Sequence, residues 1–133
     1  MDLDFSPAIA VLKREIPGLA GVYLFGSFAS GAARPDSDVD LAFYAGRPAS
    51  RALVLDVMTK VAAALSRDVD LVDLASASTI LQMQVLRDGR LVAAPDPRAI
   101  GFFELRVLRD YQDLKRRRSD IEADIVRRGR VHG

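Results

Sequence analysis

The chain contains no cysteine, so disulfides and thiolate metal sites are excluded at once. It holds a single histidine, His132, one residue from the C-terminus, and a chain end that frays is a poor place for a catalytic base. No apolar run approaches the roughly 18 residues that a membrane-spanning helix needs. The opening MDLDFSPAIAVLKREI begins acidic and turns amphipathic, the wrong pattern for a secretory signal. There is also no strong charge of one sign: the formal net charge is +1, so no overall basic balance points to nucleic acid. These absences make a soluble cytoplasmic protein the expectation.

What is present is ordinary globular composition, 133 residues with 50% hydrophobic and 28% charged side chains, enough for one domain with a real core. Charge is uneven along the chain. Residues 1–103 carry a net −2, residues 104–133 a net +3, with KRRR at Lys115–Arg118 and RRGR at Arg127–Arg130. A solvated helix face is the plainer account of those clusters. A docking surface for an acidic partner or a nucleotide is the sharper one.

Pattern and punctuation give the element order. Ser6-Pro7 reads as a helix start, with Ser6 as N-cap, and Pro17-Gly18 as its stop. GVYLF, Gly21–Phe25, is a strand running into a tight Gly26-Ser27 turn and a short helix. RPDS, Arg34–Ser37, is turn chemistry, and Asp38–Ala45 is the next strand. Arg51–Leu65 is a helix with Ser50 as N-cap, Asp68–Leu74 a third strand, and residues 76–88 a helix that Gly89 ends at a left-handed C′ position. Arg90–Ala94 is a short strand. A long helix runs from Pro97 to about Arg128, with Val107, Tyr111, Leu114, Ile121 and Ile125 on one stripe. The expected fold is a single α/β (α+β) domain over residues 1–133, a small mixed sheet flanked by helices and closed by a long C-terminal helix.

The stretch LFGSFASGAARPDSDVDLAFY, residues 24–44, carries the chemistry. Asp38 and Asp40 alternate with Val39 and Leu41, so both carboxylates leave one face of the strand, about 7 Å apart. A solvated strand face would carry acids too. The upstream Gly26-Ser27 changes the balance. A glycine lets the backbone turn sharply and a ligand come close, and backbone N–H groups at the following helix start favour an anion. Two carboxylates that close repel unless a cation lies between them. Mg²⁺ is such a cation, held by one or two carboxylates with substrate phosphates completing its shell. The third strand offers Asp68 and Asp70 on one face, with Asp73 on the other. Asp70, flanked by Val69 and Leu71, is the expected third ligand and general base. Three carboxylates suffice for two Mg²⁺.

Gly26-Ser27, ten residues, then Asp38-Val39-Asp40 resembles the G-S-x10-D-x-D signature of polymerase-β-like nucleotidyltransferases. The ARPDSDVDLA context, the VDLVDL strand and the LQMQVLRDGRLV segment are similar to the minimal (MNT) branch, which includes the antitoxins of HEPN–MNT toxin–antitoxin pairs. The resemblance implies a nucleotidyltransferase palm in which Asp38, Asp40 and Asp70 bind Mg²⁺ and Gly26 and Ser27 hold ATP phosphates. It implies transfer of AMP from ATP to an acceptor hydroxyl, a tyrosine of the partner HEPN ribonuclease toxin. Many relatives have Arg where this chain has Ser30; Arg34 is the candidate replacement, and Arg34 and Ser37 are the further nucleotide-binding candidates. The alternatives are neutralisation of a partner by binding alone, and transfer to a small molecule or to RNA.

Overall fold

In the computed structural model, which describes residues 3–132 and their side chains through 129, the elements follow the expected order. They are α1 Ser6–Glu15, β1 Gly21–Phe25, α2 Ser27–Ser30, β2 Val39–Tyr44, α3 Arg51–Leu65, β3 Val69–Asp73, α4 Thr79–Asp88, β4 Arg90–Ala93 and α5 Pro97–His132, with a 3₁₀ turn at Leu74–Ser76. The side chain of His132 lies outside the described residues.

One four-stranded mixed sheet, in the order β3-β2-β1-β4, organises the molecule. β1 is antiparallel to β2 and to β4, and β2 is parallel to β3. The parallel pair needs a crossover, which α3 supplies. Side chains alternate across the pleat. Val22, Leu24, Val39, Leu41, Phe43 and Leu71 pack into a core with α1 and α3, while Tyr23, Ala42 and Tyr44 pack with Val85 of α4 and Ile100, Phe103 and Val107 of α5. The second layer carries polar ties: Tyr23 Oη donates to Glu104 Oε2 (3.0 Å), Arg106 Nη2 donates to Tyr44 Oη (3.3 Å), and the Tyr44 ring stacks on Phe103. Burial and the neighbouring Glu104 carboxylate push the Tyr23 hydroxyl far above its ordinary pKa, so it stays a donor.

Several local expectations are corrected. Ser6 is the first helical residue of α1 rather than its N-cap: Phe5 holds that position without a side-chain bond, and Asp4 Oδ1 accepts from Ser6 N–H at 2.9 Å. A carboxylate two residues upstream thus does the work expected of the Ser6 hydroxyl. Ser50 does cap α3, and α4 has its own cap in Ser78; both hydroxyls accept the N–H three residues on. Gly89 is extended (φ −91°, ψ −179°), not left-handed, because the chain passes directly from α4 into β4. Its lack of a side chain serves close approach: a Cβ there would stand 2.5 Å from Val85 O and 3.0 Å from Leu24 O. The predicted stripe on α5 divides. Val107 is buried, but Ile121 and Ile125 are exposed, since α5 outruns the sheet that it packs on. The KRRR segment lies on this exposed part.

Candidate active site

The strand ends at one edge of the sheet bring the acidic residues together. Phe25 pairs with Asp40 across β1 and β2, and Asp40 pairs with Asp70 across β2 and β3. Neighbouring residues in a parallel register point to the same face about 4.8 Å apart, so Asp40 and Asp70 stand side by side. Asp38 precedes β2 rather than opening it as expected, and is exposed at the strand mouth. Burial first, then the charge of Asp70, then that of Asp38 push the Asp40 carboxyl above the ordinary carboxylate range. Asp40 is therefore a half-buried anion facing two others, an arrangement that a cation relieves. Asp68, the alternative third ligand, is exposed beside Asp38, and its carbonyl accepts from Val39 N–H at 2.9 Å. Asp73 is a structural acid. Its carboxylate accepts from Ala49 N–H (2.8 Å), Ala75 N–H (3.1 Å) and the Ser76 hydroxyl (3.1 Å), fixing the loop before α3.

Gly26 sits against this pair. Its φ is +69° with ψ −152°, a region essentially reserved for glycine, and a Cβ there would collide with the Asp40 carboxylate. The bonds Ala29 N–H and Ser30 N–H to Gly26 O close α2, which leaves the Ser27 and Phe28 N–H groups ahead of the first helical bonds, as at any helix start. Those donors and the Ser27 hydroxyl are the expected phosphate cradle. Arg34 and Ser37 clasp the turn between α2 and β2: Arg34 N–H donates to Ser37 Oγ (2.7 Å) and Ser37 N–H donates to Arg34 O (3.0 Å). The Ser37 oxygen is thereby engaged, while its O–H can still donate. The Arg34 side chain is exposed.

Two clefts flank the strand mouth. One, of about 470 Å³, is lined by residues that include Asp36, Asp38, Arg67 and Asp68. The other, of about 550 Å³, is lined by Phe25, Gly26, Ser30, Asp40, Gln84 and Asp88. The first contains a residue that sequence reasoning missed. Arg67 Nη1 donates to Pro35 O (2.8 Å) and Ser37 O (3.4 Å), and its guanidinium lies 5.3 Å from the Phe28 ring centroid. One side chain from the turn between α3 and β3 thus straps both the turn before β2 and α2. Its position before an acidic strand is visible in the sequence, but not that the turn folds back to meet it.

The donor set suits a hard divalent ion, being carboxylate oxygen only. Among the described residues, no group of three or more histidine or acidic side chains is gathered tightly enough to enclose an ion alone. A Mg²⁺ site completed by substrate phosphates needs no such group.

The polymerase β nucleotidyltransferase family model matches residues 8–98. The protein adenylyltransferase MntA of Shewanella oneidensis is 35% identical over 124 residues, which cover 93% of this chain and 88% of MntA. A crystal structure of a toxin–antitoxin complex with AMP-PNP superposes with a TM-score of 0.82 at 35% identity, covering 93% of this chain and 99% of that one. The structure of a tri-AMPylated Shewanella oneidensis HEPN toxin in complex with MNT antitoxin gives 0.71 at 34% identity, covering 89% and 92%. The signature at Gly26, Ser27, Asp38 and Asp40, the sheet that carries it and the breadth of these matches agree: the chain belongs to the polymerase β nucleotidyltransferase family, in its minimal, MntA-type branch.

Proposed function

We propose that this protein is an antitoxin that works as a protein adenylyltransferase, moving AMP from ATP to a tyrosine of a cognate HEPN ribonuclease toxin and so neutralising it. The observation that carries this reading is the register that sets Asp40 beside Asp70, with Gly26 against the Asp40 carboxylate. The kinship with MntA, and with an MNT antitoxin bound to an AMPylated HEPN toxin, supports the acceptor class. The whole chain, residues 1–133, acts as one nucleotidyltransferase domain. It works in the cytoplasm, in keeping with the lack, among the described residues, of a helix long and apolar enough to cross a membrane.

Asp38, Asp40 and Asp70 would hold Mg²⁺, two ions in this reading, which would neutralise the phosphate charge and ease ionisation of the attacking hydroxyl. The chain does the rest. The Ser27 and Phe28 N–H groups and the Ser27 hydroxyl orient the phosphates, and Arg34 and Ser37 border them. Asp70 accepts the proton from the tyrosine hydroxyl. The tyrosine oxygen bonds to the α-phosphorus, the bond from that phosphorus to the bridging oxygen breaks, and diphosphate leaves with the electron pair. The toxin supplies the acceptor, so a large acceptor domain is not required of this chain.

The test is transfer of labelled AMP from ATP to the purified toxin. Asp38→Asn, Asp40→Asn and Asp70→Asn should each lose it while keeping the fold, and Asp68→Asn should retain it. Loss with Asp68→Asn and retention with Asp70→Asn would exchange their roles. Full toxin neutralisation by an inactive variant would favour neutralisation by binding alone.

A further inference from the structure

The cleft between the sheet and α4 holds two residues with no part in the chemistry above, Gln84 and Asp88. They lie four residues apart on α4, hence on one face and about 6 Å apart along its axis. Asp88 is the end nearer the phosphate cradle, because Gly89, which follows it, passes against Leu24 O and Phe25 Cβ just before Gly26. In the reading proposed above the phosphates lie at Gly26 and Asp40, where Mg²⁺ would offset the carboxylate charge; Asp88 is paired with Arg87 (3.3 Å), and the rest of the same cleft lies along α4 at Gln84.

Gln84 is exposed in that cleft, and among the described residues its carboxamide makes no hydrogen bond. Its neighbour Gln82 differs: it is half-buried, and its Nε2 donates to Leu74 O at 2.8 Å. Gln82 thus has a structural task, while Gln84 presents an unengaged donor and acceptor pair to the space where a nucleobase would lie. A carboxamide complements adenine, accepting from the N6 amino group and donating to a ring nitrogen, whereas guanine offers acceptors at both O6 and N7.

We propose that Gln84 selects the adenine base, its carboxamide oxygen accepting from the N6 amino group, so that the site takes ATP in preference to GTP. This rests on the nucleotidyltransferase reading above and adds the choice of base to it.

The test is competition binding in Mg²⁺ buffer without toxin, displacing a fluorescent ATP analogue with ATP, GTP or purine riboside triphosphate, which lacks the N6 amino group. The wild type should prefer ATP over both competitors by about tenfold or more, the worth of a good base-edge contact. Gln84→Leu, which fills similar space on an exposed face, should bring the three to within about twofold with an unchanged melting temperature. A leucine variant that keeps the wild-type ratios, or a wild type that binds all three alike, overturns the assignment of Gln84. A wild type that binds none of them contradicts the nucleotidyltransferase reading itself, and this proposal falls with it.

Discussion

At the scale of single residues, the site is built from positions where a side chain is either costly or impossible. Gly26 combines a positive φ with direct contact on Asp40. Gly26→Ala should cost about 1–3 kcal/mol in stability through the backbone alone and displace the Asp40 carboxylate, so transfer should fall more than stability does. Thermal unfolding and labelled-AMP transfer, run on the same variant, measure the two. Asp40 gives a prediction with a sign. Its carboxyl titrates above the ordinary range in the folded protein, because burial, Asp70 and Asp38 disfavour the anion. The folded state then holds this proton more tightly than the unfolded chain. In metal-free buffer the Asp40 contribution to stability should be lost as pH rises from the unfolded carboxyl range through the raised folded one. Asp40→Asn should remove that dependence and raise the metal-free melting temperature at pH values above the carboxyl range, while lowering transfer about a thousandfold or more. An Asp40→Asn variant that melts below the wild type in EDTA would mean that the carboxylate is stabilising without metal, against this electrostatic account.

At the scale of elements, what could be read from residues is what local physics fixes. β1 and α3 were legible to the residue, because GVYLF is bounded by turn residues and Ser50 caps a clean apolar period. The Gly26-Ser27 turn and the Asp38–Asp40 alternation could be read as a candidate site because each residue type has a chemical reason to be there. The role of Gly89 was misread, since a glycine after a helix suggests a left-handed cap unless one knows that β1 lies against it. Arg67 was invisible for the same kind of reason: its partners, the Pro35 and Ser37 carbonyls, are 30 or more residues away in sequence. Its strap carries a prediction. Arg67→Ala should slow transfer by about ten- to a hundredfold through misplacement of the turn that carries Asp38. Arg67→Lys should restore only part of this, because an ammonium lacks the flat face that lies over Phe28. Steady-state kinetics on the two variants decide it, and full activity of Arg67→Ala would reduce the strap to decoration. Tyr23, between the sheet and α5, is a pure stability element. Tyr23→Phe should cost about 1.5 kcal/mol by removing a bond to the Glu104 carboxylate, and leave transfer intact.

At the scale of the molecule, the parts are unequal. The buried core ends at Val107, among the described residues, although α5 continues to His132. Removing residues 113–133 should therefore change the melting temperature by only a few degrees, with the sheet and both clefts intact; a collapse of cooperative unfolding would show that distal α5 supports the fold after all. The half that carries the sheet is compact, with Asp38, Asp40 and Asp70 at the strand mouth and, in the proposed function, its acceptor left to another protein. That division is the central claim, and one measurement reaches it most directly: the intact mass of the HEPN-type toxin encoded beside this protein, after co-expression with the wild type or with Asp40→Asn. The account predicts a toxin heavier by whole AMP units with the wild type and an unmodified toxin with Asp40→Asn. An unmodified toxin that the wild type still neutralises would contradict it.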